Sequence, residues 1–185
     1  MKQLTIILLL FVSGILADYP DQSKTIRAAD MWAQISSISN MVLSEDGKSL
    51  QLTDGSVSGF FTLIPDTLPT LFDRGLPSWN GKAIHEDSGF KVSMRFKHNS
   101  TWSPWLTVGY WKNYIWPTYG ATSYAAGEID YDYVVLDDFH TIWQWRVEFK
   151  RQLAAHPSPS IDKLNFYVSD QRTTDNMNLS AIVND

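Results

Sequence analysis

Four tryptophans fall within fifteen consecutive positions, at Trp102, Trp105, Trp111 and Trp116, with Tyr110 and Tyr114 between them. Flat amphipathic rings at this density either fill a core or form a surface on which the C–H faces of sugars stack. Arg95 and Arg146 lie on the polar side of alternating segments. Facing a concave sheet, a guanidinium there could hold a carboxylated sugar or a peptide carboxylate in bidentate fashion. Trp102, Trp105, Trp111, Tyr114, Trp116, Arg95 and Arg146 therefore make the candidate ligand-binding set, with Asn113, Tyr124, Asp130 and Asp132 as further polar groups. Core packing competes for any one tryptophan, because alternation buries every second ring. Pairing with Asp130 or Asp132 competes for the arginines. Trp79, in Pro77-Ser78-Trp79-Asn80-Gly81, reads as a structural corner in which the indole plugs one end of the fold.

Other chemistries have less to build on. The histidines are His85, His98, His140 and His156, and no pair has a spacing such as His-x-His, so no zinc site is expected. With no cysteine, the chain holds no disulfide, thiolate metal site or cysteine nucleophile. Asp130-Tyr131-Asp132 and Asp137-Asp138 carry oxygen donors of the kind calcium takes, but they form no complete ligand loop, and no cofactor is expected. A lyase or glycosidase needs a His/Tyr pair or two convergent carboxylates. His140 with Tyr133, or Asp137 with Asp138, can be named for that role only by arbitrary choice. The expectation is a non-catalytic binding module with a glycan or protein ligand, and a small jelly-roll polysaccharide lyase is the enzymatic alternative. Asn99-Ser100-Thr101 and Asn178-Leu179-Ser180 are glycosylation sequons in a eukaryotic host.

The elements that must position these residues are strands. The 185 residues suffice for one domain with a sizeable core, and 44% hydrophobic against 19% charged residues marks a globular chain. A formal charge of −5 gives no reason to expect nucleic acid or an anionic membrane as partner. Residues 1–17, with Lys2 ahead of an apolar run from Leu4 to Leu16 and a small Ala17, have the layout of a cleavable secretory signal. They predict a secreted, periplasmic or extracellular protein with no membrane contact after cleavage; an uncleaved anchor is the alternative. Without cysteine there is no lipobox.

Along the chain, Thr25–Ala33 suggests a short helix, and Met41–Leu43 with Leu50–Leu52 a hairpin around Glu45-Asp46-Gly47-Lys48. Gly59–Ile64 reads as a buried strand and Pro65–Gly89 as loop. Phe90–Lys97 alternates cleanly, turns at His98-Asn99-Ser100 and returns through Trp102–Trp111. Tyr131–Leu136 is a strand ended by a turn at Asp137-Asp138, Ile142–Arg151 alternates again, and Ile161–Ser169 closes the set. This spacing predicts an all-β, antiparallel β-sandwich of jelly-roll type over residues 18–170, followed by a polar tail over 171–185.

In this order the segments resemble a family: the N-terminal β-rich accessory domain of secreted bacterial cysteine peptidases of the double-glycine, bacteriocin-processing type. The pieces are Pro77-Ser78-Trp79-Asn80, Val92-Ser93-Met94-Arg95, Trp102-Ser103-Pro104-Trp105 and Tyr110-Trp111. Asp130-Tyr131-Asp132, Trp145-Arg146-Val147, Ser158-Pro159-Ser160 and Val168-Ser169-Asp170 follow them, so the likeness covers about residues 50–170. It implies a role beside a papain-like catalytic domain. Such a domain would supply a nucleophilic cysteine, which this chain lacks, so peptidase activity is not carried over.

Overall fold

The computed structural model describes residues 21–112, 116 and 118–171. The signal-like segment, the tail from 172 onward, Asn113 and Tyr114 lie outside the described residues. The described chain runs β1 (Gln22–Arg27), α1 (Ala28–Ala33), β2 (Ile35–Ser39), β3 (Met41–Leu43), β4 (Leu50–Leu52), β5 (Ser58–Leu63), β6 (Asp66–Lys82), β7 (Ser88–His98), β8 (Thr101–Trp102), β9 (Leu106–Trp111), β10 (Ser123–Tyr124), β11 (Gly127–Asp130), β12 (Tyr133–Arg151) and β13 (Ser160–Ser169).

Every pairing is antiparallel, and β12 is the strand that the two layers share. Its first part lies between β11 and β6, and β6 continues the layer to β13 and then β1. Its second part lies between β5 and β7, which carry β2 and β9 at their outer sides. The result is the all-β antiparallel sandwich that the sequence predicts, nearly closed into a barrel.

The core follows from alternation. Trp143, Trp145, Val147 and Phe149 of β12 and Phe90, Val92, Met94 and Phe96 of β7 are all buried. From the opposite layer Leu164, Phe166 and Val168 of β13 fill the same space. Phe166 is the bridge: its ring lies between 5.2 and 6.2 Å from those of Phe72, Phe96, Trp143 and Trp145, mostly edge to face. It also needs a glycine opposite, since a Cβ on Gly75 would come within 2.4 Å of its ring. Trp79 is not in a loop corner: it lies within β6, opposite Leu164 of β13, and packs against this core, its indole filling the space that a side chain at Gly109 would occupy.

Three local expectations are corrected. Pro65–Gly89 is not mainly loop, because β6 occupies 17 of those residues. Its prolines sit where β12 is not hydrogen-bonded to it: Pro69 in the gap between Thr67 and Phe72, and Pro77 beyond Gly75. Asp137-Asp138 is not a turn between two strands but an irregularity within the single strand β12, where the register shifts between Val135 and His140. The helix is only Ala28–Ala33, because Thr25 and Ile26 join β1 and pair with Asn165 and Leu164. At the end of the described chain Asp170 is buried, and the Gln171 amide donates to Asp73 Oδ1 at 3.0 Å.

Truncating the bridging ring tests this packing. Phe166→Ala is expected to lower unfolding stability by about 3–5 kcal/mol. Ser23→Ala on the exposed side of β1 should change it by less than about 0.5 kcal/mol, both read from urea unfolding.

Candidate functional site: an aromatic and cationic face

The side chains of β7 and β12 that alternation turns away from the core meet across the pair. Gln144 stands opposite Arg95, Glu148 opposite Lys91, and Arg146 opposite Ser93. On the far side of β12, Phe60 of β5 faces Glu148, and on the far side of β7, Tyr110 of β9 faces Lys91. Trp102 of β8 pairs with Lys97. Among the described residues of β7 and β12, one face therefore carries Lys91, Arg95, Lys97, Arg146 and Lys150 against a single acid, Glu148, in a chain whose formal charge is −5.

Arg95 is held by the rings. Its guanidinium carbon lies 4.5 Å from the ring centroid of Trp102 and 4.5 Å from that of Trp105. Its Nε donates to Gln144 Oε1 at 2.7 Å, and Gln144 Nε2 donates in turn to the Leu63 carbonyl at 2.6 Å. Gln144 is 4% exposed, so this relay is a fixed strut rather than a surface contact. No described residue accepts from the two terminal nitrogens of Arg95. Burial, and then the charge of Arg146, push its pKa below the ordinary arginine value, though a guanidinium stays charged at neutral pH.

Arg146 rests over Phe60 at 4.5 Å. Its nearest acid is Glu148, at 3.8 Å, too long for a hydrogen bond, while Glu148 gives its other oxygen to Lys91 at 2.6 Å. The Nε of Arg146 is buried with no hydrogen-bond partner, and no described residue accepts from the rest of its guanidinium. At the far end of the same face, Lys150 and Lys91 lie 4.4 and 5.0 Å from the Trp116 ring centroid, and Trp116 stacks on Tyr110 at 6.1 Å. Just beyond Trp116, Thr118 and Tyr119 are tied to β9: Thr107 Oγ1 donates to the Tyr119 carbonyl at 3.0 Å, and the Tyr110 hydroxyl donates to the Thr118 carbonyl at 3.0 Å.

The structure thus brings Trp102, Trp105, Trp116, Arg95 and Arg146 onto one face. It does not bring Trp111 there. Trp111 pairs with Phe90, whose ring is core, and projects to the other side of β9 from Tyr110; it is 48% exposed. Tyr114 lies outside the described residues. The arginines do not pair with Asp130 or Asp132; their neighbours are Gln144, Glu148 and rings. Sequence reasoning missed Gln144, Phe60 and the three lysines. The alternation of β12 puts Gln144 in one row with Arg146, but only the register with β7 reveals that it reaches Arg95.

A second polar group lies inside. His140, 1% exposed, places Nδ1 2.7 Å from the Asp138 carbonyl and Nε2 3.5 Å from the Tyr124 hydroxyl. Burial pushes the His140 pKa down and that of Tyr124 up to about 12. The tyrosine that meets His140 is thus Tyr124, and its raised pKa keeps it a proton donor near neutral pH. Asp138 uses its carboxylate locally, accepting the Phe139 amide at 2.7 Å and lying 3.5 Å from His98 Nε2.

No protein-family model matches the chain, and no curated protein is similar to it. Among solved structures, a family two carbohydrate esterase from Cellvibrio japonicus is similar at a TM-score of 0.37 and 16% identity, over 81% of this chain and 35% of that one. The chain thus spans about a third of that structure's length, and a likeness of this degree carries no functional conclusion.

Buried His140 and half-buried Tyr124 imply a pH dependence. His140 is neutral in the fold with a pKa below its unfolded value of about 6.5, so its share of stability is complete above that pH and is lost as pH falls toward the folded pKa. Tyr124 contributes with the opposite sign: its share is complete below its unfolded pKa of about 10 and is lost as pH rises toward about 12. Urea unfolding across pH is expected to show the loss just below pH 6.5 (about the unfolded histidine value), and His140→Gln, though less stable throughout, to lack that slope.

Proposed function

We propose that the chain is a non-catalytic binding module whose outer face of β5, β12, β7 and β9 takes an extracellular or cell-surface glycan bearing acidic groups. The observation that carries this reading is Arg146: a guanidinium held over Phe60, with a buried Nε and no described hydrogen-bond acceptor, beside an Arg95 whose terminal nitrogens are also free of described partners. A carboxylate supplies the planar pair of acceptors that such groups lack. The role of Trp102 and Trp105 changes accordingly. Each gives a ring face to Arg95, so they act first by holding a cation in place and only with their remaining edges and faces as sugar contacts.

Two companion proposals rest on sequence features. Export rests on the signal-like residues 1–17, and a place beside a separately supplied cysteine peptidase rests on the motif resemblance over about residues 50–170. Co-purification with such a peptidase from the native host tests the latter.

Affinity electrophoresis through polygalacturonate, with dextran as the neutral control, tests the ligand class. Retardation by the polyuronate is expected. It should weaken steeply as salt shortens the screening length from about 10 Å at 0.1 M toward about 3 Å at 1 M. Arg95→Gln with Arg146→Gln should weaken it by about tenfold or more, the loss of at least one charge-assisted hydrogen bond. Trp102→Ala with Trp105→Ala should weaken it less, by freeing Arg95. Equal retardation by both polymers, or retention in the double arginine variant, would remove the assignment.

A further inference from the structure

At the end of β7 and β12 two loops meet, one between β6 and β7, the other between β12 and β13. They bring His85 and Asp87 together with His156, whose donor atoms all lie within 4.8 Å of one another. The two imidazoles stack at 3.9 Å between centroids with an 18° angle between planes. His85 Nδ1 lies 3.9 Å from the Asp87 carboxylate and accepts the Asp87 amide at 3.1 Å, which makes Nδ1 the nitrogen with the lone pair. His156 Nδ1 is buried and has no hydrogen-bond partner.

The backbone of all three residues is pinned. The His85 carbonyl accepts from the Ser88 hydroxyl at 3.0 Å, the Asp87 carbonyl from the Gln152 amide at 2.9 Å, and the His156 carbonyl from Arg151 Nη1 at 2.8 Å. Arg151 is itself buried and is tied to the carbonyls of Ser56 and Thr53. The three side chains therefore sit on fixed stems, whereas surface histidines that meet by chance hang from free ones.

We infer that His85, Asp87 and His156 form a binding site for a divalent transition metal ion that clasps the two loops. Two imidazole nitrogens and one carboxylate oxygen favour a borderline ion such as Zn²⁺ over the all-oxygen preference of Ca²⁺ and Mg²⁺. Tetrahedral donors about 2.1 Å from the ion stand about 3.4 Å apart, so donors within 4.8 Å need to close by only a little over an ångström, within reach of ring rotations. The ion takes the Nδ1 lone pair of His85 in place of the Asp87 amide and gives the unpartnered nitrogen of His156 a ligand role. Three protein ligands leave the fourth position to water. The site is separate from the cation-bearing face and independent of the glycan reading.

Calorimetric titration of Zn²⁺ into the full chain is expected to show one-to-one saturable binding, with none for Ca²⁺ at the same concentration. At roughly a hundredfold excess over Kd the melting temperature should rise by about 5 °C or more. His85→Gln and His156→Gln, on loops and outside the hydrophobic core cluster, should each weaken binding by about tenfold or more, and His98→Gln should leave it unchanged. Co²⁺ should give the visible absorption of a nitrogen-ligated four- or five-coordinate ion, lost in the double His85→Gln, His156→Gln variant. One-to-one binding that survives in that double variant, or no saturable binding by the folded wild-type chain, overturns the assignment.

Discussion

The continuity of β12 is the constraint on which the other features depend. One strand of 19 residues belongs to both layers, so the register set in one is transmitted to the other. A slip of one residue would exchange its inward row, Trp143, Trp145, Val147 and Phe149, with its outward row, Gln144, Arg146, Glu148 and Lys150. The first row closes the core on Phe166; the second builds the cationic face. Fold and candidate site are two sides of one alternation. Across the irregularity at Asp137–His140 one edge of the strand passes from β11 to β7, while on the other edge β6 stays paired to Trp143 and β5 begins at Arg146; the contact between buried His140 and half-buried Tyr124 lies at the first of these joints.

The outward face is electrostatically unbalanced, and magnitudes show how it holds. Arg95 and Arg146 are diagonal neighbours on the paired strands, about 7 Å apart by backbone geometry. Two unit charges at that distance repel by about 2 kcal/mol at an effective dielectric of 20. Each cation–aromatic contact returns about 0.5–2 kcal/mol, depending on its desolvation, and Arg95 has two of them while Arg146 has one. Rings thus offset the repulsion without neutralising it. A carboxylate in place of an aromatic would have quenched the charge; an indole or a phenyl ring holds the guanidinium and leaves its N–H groups able to donate.

How legible this was depends on distance along the chain. The clean alternation of Phe90–Lys97 and Ile142–Arg151 makes the strands and the all-β class readable, because period-two burial is a local pattern. The strand status of β6 was hidden by its prolines, which signal loop locally and are tolerated only because the β12 ladder is interrupted beside them. Arg95 and Arg146 could be singled out by type and side of strand, but their neighbours could not. Gln144 reaches Arg95 through register across 49 residues, and Phe60 reaches Arg146 through the pairing of β5. The spacing rule that spoke against a metal site looks only at ligands on one element. His85 and His156 come from different loops, where spacing in the sequence is silent.

Glu148 shows what the face does with an anion. It is the one acid in the row, and its two oxygens are divided unequally: one lies 2.6 Å from Lys91, the other stops 3.8 Å from Arg146. The side chain satisfies the ammonium, which needs only a point contact, and leaves the guanidinium, which prefers two parallel acceptors, without a hydrogen bond. A carboxylate approaching from outside therefore need not displace Glu148 from Lys91; it meets the donors that the internal acid leaves unused. The internal acid moderates the charge at one end of the row and keeps the binding capacity at the other, where Arg146, Arg95 and the indoles that hold it converge.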